Sequence, residues 1–212
     1  MSEVLLTLTL VAAFYAALFL IRDQGEVRPT FARLWPVFAV FALTAMFSFA
    51  QMVWPRVMTA LERSGPGLRQ GEIWRLATPL VVQDGGTAGT IFNLATLLFL
   101  GIPFALLFGA RRWLLLYLGT GLILELLAYT IYDQGSAGNP TANFGVAAGL
   151  AFAAVRSPDR KAQAAGIVAM LGGIALLVTG NLHGGAFAVG FGLSWLAANR
   201  LARKRPTNDR PV

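Results

Sequence analysis

Seven runs of this chain are apolar for long enough to thread a hydrocarbon layer, and no other property limits its fold as strongly. They fall near residues 4–21, 35–54, 88–110, 113–132, 139–155, 162–180 and 184–199. A layer roughly 30 Å thick takes about 20 helical residues at ~1.5 Å each, and lipid offers a bare backbone no hydrogen-bonding partner, so each run is predicted to be a helix. Hydrophobic residues make up 56% of the chain and charged ones 13%, which excludes an ordinary soluble core. The predicted class is an all-α polytopic membrane protein in contact with the lipid bilayer.

A formal charge of +7 would suit a nucleic-acid partner if the basic residues were clustered, but they fall in alternate loops. The loops after the first, third, fifth and seventh runs carry Arg22, Arg28, Arg33, Arg111, Arg112, Arg156, Arg160, Lys161, Arg200, Arg203, Lys204, Arg205 and Arg210. Only Arg56, Arg63, Arg69 and Arg75 lie on the other side. The cytoplasmic bias of Lys and Arg therefore explains the charge, with no nucleic acid involved, and predicts an outer N-terminus and a cytoplasmic C-terminus. A bacterial inner membrane is the expected location. Met1-Ser2-Glu3 supplies no positive region ahead of the first run, so that run is expected to stay as an anchor. The expected organisation is an anchor with its cytoplasmic loop over 1–33, a helical core over 34–199 with an interfacial loop over 55–87, and a basic tail over 200–212 that can touch anionic lipid.

Within that loop stands Gly71-Glu72-Ile73-Trp74-Arg75-Leu76-Ala77-Thr78-Pro79. A Trp beside an Arg suits the headgroup level of a bilayer, where the ring and the guanidinium both find partners. The pattern of Gly71, Trp74, Arg75 and Thr78 also resembles the rhomboid family of intramembrane serine proteases and their inactive relatives, the Derlins. The resemblance continues in order through Phe92-Asn93, Tyr117-Leu118, Gly121-Leu122, Phe144-Gly145, Gly149, His183, Gly185 and Gly190, and covers about residues 35–199. It implies a six-helix core preceded here by one additional transmembrane helix, with the loop packed sideways against the bundle. Small residues give the glycines an independent reason, because helices in lipid associate by close approach. Gly145 and Gly149 share a face four residues apart. Gly185, Gly190 and Gly192 with Ala186 and Ala188 would let the fifth and seventh helices meet almost backbone to backbone.

A serine dyad needs a hydroxyl within about 3 Å of an imidazole, and donors for the oxyanion. His183 is the sole histidine, and the resemblance puts it at the catalytic base. Aligning on Phe144-Gly145 puts Pro140 where the family has its serine, with Thr141 in place of the glycine that follows. Proline has neither hydroxyl nor backbone N–H; it does suit the first turn of a helix. Two other hydroxyls are candidate replacements. Ser136 lies twenty residues from Arg156, about 30 Å if all helical, which puts it at the outer surface. Thr141 is at the right depth but is a β-branched secondary alcohol. Gln83 and Gly89 stand where active members have histidines, while Asn93 is kept and could still donate to the oxyanion pocket. Asn143, Asn181, Tyr132 and Asp133 are expected around the same polar pocket, with Phe144 packed on the histidine.

Glu125 is the foremost charge inside a run; it is expected to bond a loop or a neighbouring helix, with ion or proton transport the other possibility. No cysteine is present, and one histidine with scattered carboxyls makes no metal set, so neither metal nor cofactor is expected. The reading that results is a rhomboid-like pseudoprotease that binds the transmembrane helix of a client or of a membrane-complex partner, through a gate between the third and sixth runs. The alternatives are an active protease using Ser136 and His183, and a small transporter using Glu125.

Overall fold

The computed structural model describes residues 2–25, 28–131 and 137–203, and every regular element among them is helical. The long helices are α1 (Ser2–Asp23), α2 (Phe31–Val53), α5 (Gly86–Phe108), α6 (Ala110–Ile131), α7 (Pro140–Val155), α8 (Arg160–Val178) and α9 (Leu182–Arg203). Between α2 and α5 lie two short helices, α3 (Arg56–Leu61) and α4 (Gly65–Arg69), and two 3₁₀ turns, Ile73–Leu76 and Thr78–Val81. Each apolar run thus became one helix. Five of them, α1, α2, α5, α6 and α8, are long and apolar enough to cross a membrane by themselves. The 16 residues of α7 reach only ~24 Å, and α9 is diluted by glycine, serine, histidine and asparagine.

The chain is an integral membrane bundle with α7 at its centre. Around α7 run α1, α8, α9, α6 and α5, each packed on the next and on α7, and α1 closes the circle because α5 and α8 scarcely touch. Helix α2 stands outside, against α5 and α6. Composition puts α7 in the middle: it is built largely of alanine and glycine, and almost all of Thr141–Ala151 is buried. A Cβ added to Gly190 of α9 would lie 2.5 Å from the Cα and carbonyl oxygen of Gly145, so the expected approach of α7 and α9 is real and rests on that pair. Gly185 and Gly192 do not share in it. A Cβ at Gly185 would meet only Leu124 at an ordinary 3.5 Å, and Gly192 faces open space.

The register of α7 on α6 sets the depth of its first turn. Gly145 packs on Thr120 and Gly149 on Leu116, so four residues forward on one helix are four back on the other. Pro140 then stands level with Glu125, short of the end of α6 at Ile131 by six residues, which is ~9 Å. Helix α7 begins inside the bundle, below the surface. The α5–α6 reversal takes one residue, Gly109, at φ +89°, a conformation that costs glycine nothing.

Arg75 ties the long loop together. Its guanidinium donates to the carbonyls of Thr59 (2.9 Å) and Glu62 (2.8 Å) and pairs with Glu72. Gly67 leaves room for that pair, since a Cβ there would lie 2.7 Å from Arg75 Nε. The Thr78 hydroxyl lies 2.6 Å from the carbonyl of Leu61 and 3.1 Å from that of Trp74. Gly71 turns the chain at φ +89°. Trp74 is 49% exposed, on the rim of the bundle.

Candidate functional site

The sunken start of α7 is lined by amides from four elements. Gln51 of α2 pairs with the backbone of Gln83: its Nε2 donates to the Gln83 carbonyl (2.6 Å), and its Oε1 accepts the Gln83 N–H (3.0 Å). The Gln83 side chain, held in this way, turns into the bundle. Its Nε2 donates to Asn139 Oδ1 (3.1 Å) and its Oε1 accepts from Asn93 Nδ2 (2.7 Å). Asn143 Nδ2 donates to the Asn93 carbonyl (3.1 Å). Two backbone straps hold the residues before α7. The Gly138 N–H donates to the Pro79 carbonyl (2.8 Å), and the Ala137 N–H to the Asp84 carboxylate (3.1 Å). Gln83, Asn93, Asn139 and Asn143 are all buried, so these amides spend much of their bonding capacity on one another.

His183 completes the site from the first turn of α9. Asn181 Oδ1 accepts the His183 backbone N–H (2.9 Å) and lies 2.8 Å from its ring Nδ1. An amide oxygen only accepts, so Nδ1 carries the ring proton and Nε2 keeps its lone pair. Phe144 packs on the imidazole with ring centroids 5.0 Å apart. A histidine in this state is equipped to act as a base.

What it lacks among the described residues is a hydroxyl bonded to the imidazole. Pro140 occupies the first position of α7 and offers none. The Thr141 hydroxyl is buried and makes no hydrogen bond, to His183 or to any other described group. Ser136, Tyr132 and Asp133 lie outside the described residues. The structure therefore brings together His183, Phe144, Asn143, Asn93, Asn181 and the start of α7, without a Thr141–His183 hydrogen bond.

Glu125 has a specific partner. Arg63 Nη1 lies 3.0 Å from its Oε2, with the two side chains 4% and 2% exposed. The arginine comes from the long loop, so the pair fastens that loop to α6 at the depth where α7 begins. The pair gives the carboxyl a structural partner inside the bundle.

Three contributors were not anticipated from sequence: Gln51, Asp84 and Asn139. In the sequence Gln83 stands out only for the histidine it replaces. A signal existed for Gln51, a lone amide inside an otherwise apolar run, which lipid makes costly unless it is bonded. Asn139 directly precedes a proline at a helix start, a place that favours asparagine. Neither position names its partner.

Residues 70–199 match the model of the rhomboid domain. The chain is 34% identical over 88 residues to the rhomboid protease GluP of Bacillus subtilis (strain 168), a stretch that covers 42% of this chain and 17% of that protein. The similarity to that relative thus concerns a small part of its length. No solved structure matches the chain. The domain match begins just before Gly71 and ends within α9, leaving α1 and α2 outside it.

Proposed function

The chain belongs to the rhomboid family, and from that premise we propose that it is a non-cleaving member, which holds the transmembrane helix of a client or of a membrane-complex partner. One observation carries this reading: where the family's nucleophile is expected stands Pro140, directly after Asn139 of the Gln83–Asn93–Asn139–Asn143 amides. These amides can still bind a polar backbone or side chain of a partner helix, but none can act as a nucleophile in acyl transfer. The alternation of basic residues supports an orientation with the amide site at the outer face of a bacterial inner membrane and the end of α9 in the cytoplasm. The tail over 200–212 would then lie on anionic lipid.

A second reading keeps proteolysis, and the Nε2 lone pair of His183 favours it, since a base is in place if Ser136 comes within reach. The two readings part on one experiment. The reconstituted protein is exposed to a fluorescent serine-hydrolase probe and to a transmembrane reporter, as wild type and as Ser136→Ala, Thr141→Ala and His183→Ala. The non-cleaving reading expects neither labelling nor product in all four, with folding confirmed. Labelling lost in both His183→Ala and one hydroxyl variant would overturn it and establish a relocated dyad.

A further inference from the structure

Helix α2 turns a polar face into the bundle. Of its residues only Pro36, Val37, Thr44 and Ser48 are buried, and it packs mainly on α5, α6 and the 3₁₀ turn Thr78–Val81. The hydroxyls of Thr44 and Ser48 are therefore held between α2 and those neighbours, one helical turn apart. Neither forms a hydrogen bond with any described group. A hydroxyl on a helix has an acceptor at hand: Thr9, Thr90, Thr96 and Ser194 each donate to the carbonyl four residues back. Thr44 and Ser48 forgo that bond, although rotation about one side-chain torsion would make it.

Tyr117 brings a third hydroxyl to the same interval. Its ring stacks on Trp113 with centroids 5.1 Å apart, so the two residues share a face of α6. That face meets α2 and α5, since a Cβ on Gly101 would stand 3.0 Å from Trp113 Nε1 and 3.0 Å from Val37 Cγ1. Tyr117 is buried, and its hydroxyl also lacks a partner among the described groups. The Val37–Gly101–Trp113 contact floors the interval on the cytoplasmic side. Thr44 stands seven residues above that floor on α2, or ~10 Å, and Tyr117 four residues above it on α6, or ~6 Å. Higher still, Leu80 fills the notch at Gly121, where a Cβ would lie 2.8 Å from its methyl carbons, and the Gln51–Gln83 bonds join α2 to the loop.

Burial of a hydroxyl without a partner is costly, the more so where lipid rather than water lies outside the bundle. We propose that the interval between α2, α5 and α6 is a water-binding chamber, in which about one or two buried waters bridge Thr44, Ser48 and Tyr117. Water suits these groups because each hydroxyl both donates and accepts, and none of the three carries a charge that would hold an ion. The chamber is blind: it fills from the outer face and ends on Trp113. It is distinct from the His183 site and stands whether or not the chain cleaves its partners. Through it α2 is coupled to α6 by water as well as by side-chain packing, directly beneath the Gln51–Gln83 bonds that orient the amide site.

The test uses the full chain in nanodiscs equilibrated with oxygen-labelled water. Synchrotron radiolysis makes hydroxyl radicals where water sits, so the labelled oxygen gained by each side chain, read by mass spectrometry, reports exchangeable water beside it. Tyr117 is expected to gain severalfold more label than Phe187, which is similarly buried but packs on Gly173. Thr44→Val combined with Ser48→Ala should lose most of the Tyr117 signal. Thr44→Val alone, which keeps the branched shape and deletes the hydroxyl, takes a partner from a bound water and is expected to lower the folding equilibrium constant by about three- to tenfold. An unbonded hydroxyl would give the opposite sign, since its removal relieves a buried polar group. Tyr117 labelled no more than Phe187, or a Thr44→Val protein more stable than wild type, would overturn the inference.

Discussion

At the scale of single residues, the Arg63–Glu125 pair is the costliest arrangement to disturb. The Glu125 carboxyl is buried below the rim against the Arg63 guanidinium, and removal of the arginine leaves it without that counter-charge. Arg63→Met is expected to destabilise the protein by about 3–5 kcal/mol, and Arg63→Met combined with Glu125→Leu by much less than the sum of the single changes. Denaturant or thermal unfolding in detergent would show this, and equal losses in the single and double variants would contradict it. The carboxyl was legible in the sequence as an expensive charge in an apolar run. Its partner was not, because Arg63 reads like any basic loop residue until the loop folds down onto α6. Gln83 teaches the same lesson. In sequence it marks a missing histidine, whereas in the fold it joins α2, α5 and the start of α7.

At the scale of elements, glycines decide how closely helices meet, and they are not equivalent. A methyl group on Gly190 would sit 2.5 Å from the backbone of Gly145, with nowhere for either helix to go. Gly190→Ala is therefore expected to cost several kcal/mol and to loosen α9 and His183 from α7, as overpacking does at its upper end. Gly192→Ala, in open space, should be neutral or stabilising by up to about 1 kcal/mol, the usual gain of alanine over glycine in a helix. Unfolding midpoints of the two variants would separate the roles; a mild Gly190→Ala would show that α7 and α9 can part cheaply. Small-residue spacing in the sequence located this interface correctly. It could not tell Gly190 from Gly185 and Gly192, which lie on the same helix but meet no close backbone.

At the scale of the whole molecule, alternate helix directions put the long loop and the amide site at one end and most of the arginines at the other. Single cysteines at Gln70 and Gln24, both exposed and at opposite ends, should react with a membrane-impermeant maleimide from the outer and the cytoplasmic face respectively. Labelling of both from one side would refute the orientation. The all-helical membrane class, the order of the helices, the family resemblance and the proline that stands where a nucleophile is expected are all legible along the chain. These are local properties: a run length, a charge alternation, a motif at fixed spacing. The folded bundle adds that α7 starts about 9 Å below the end of α6, that Gln51, Gln83 and Asn139 join into one network, and that α1 closes the circle between α5 and α8. Every span here is apolar and carries small residues, so composition says that helices can meet closely without saying which face meets which partner. That choice belongs to side-chain fit between segments far apart in the chain.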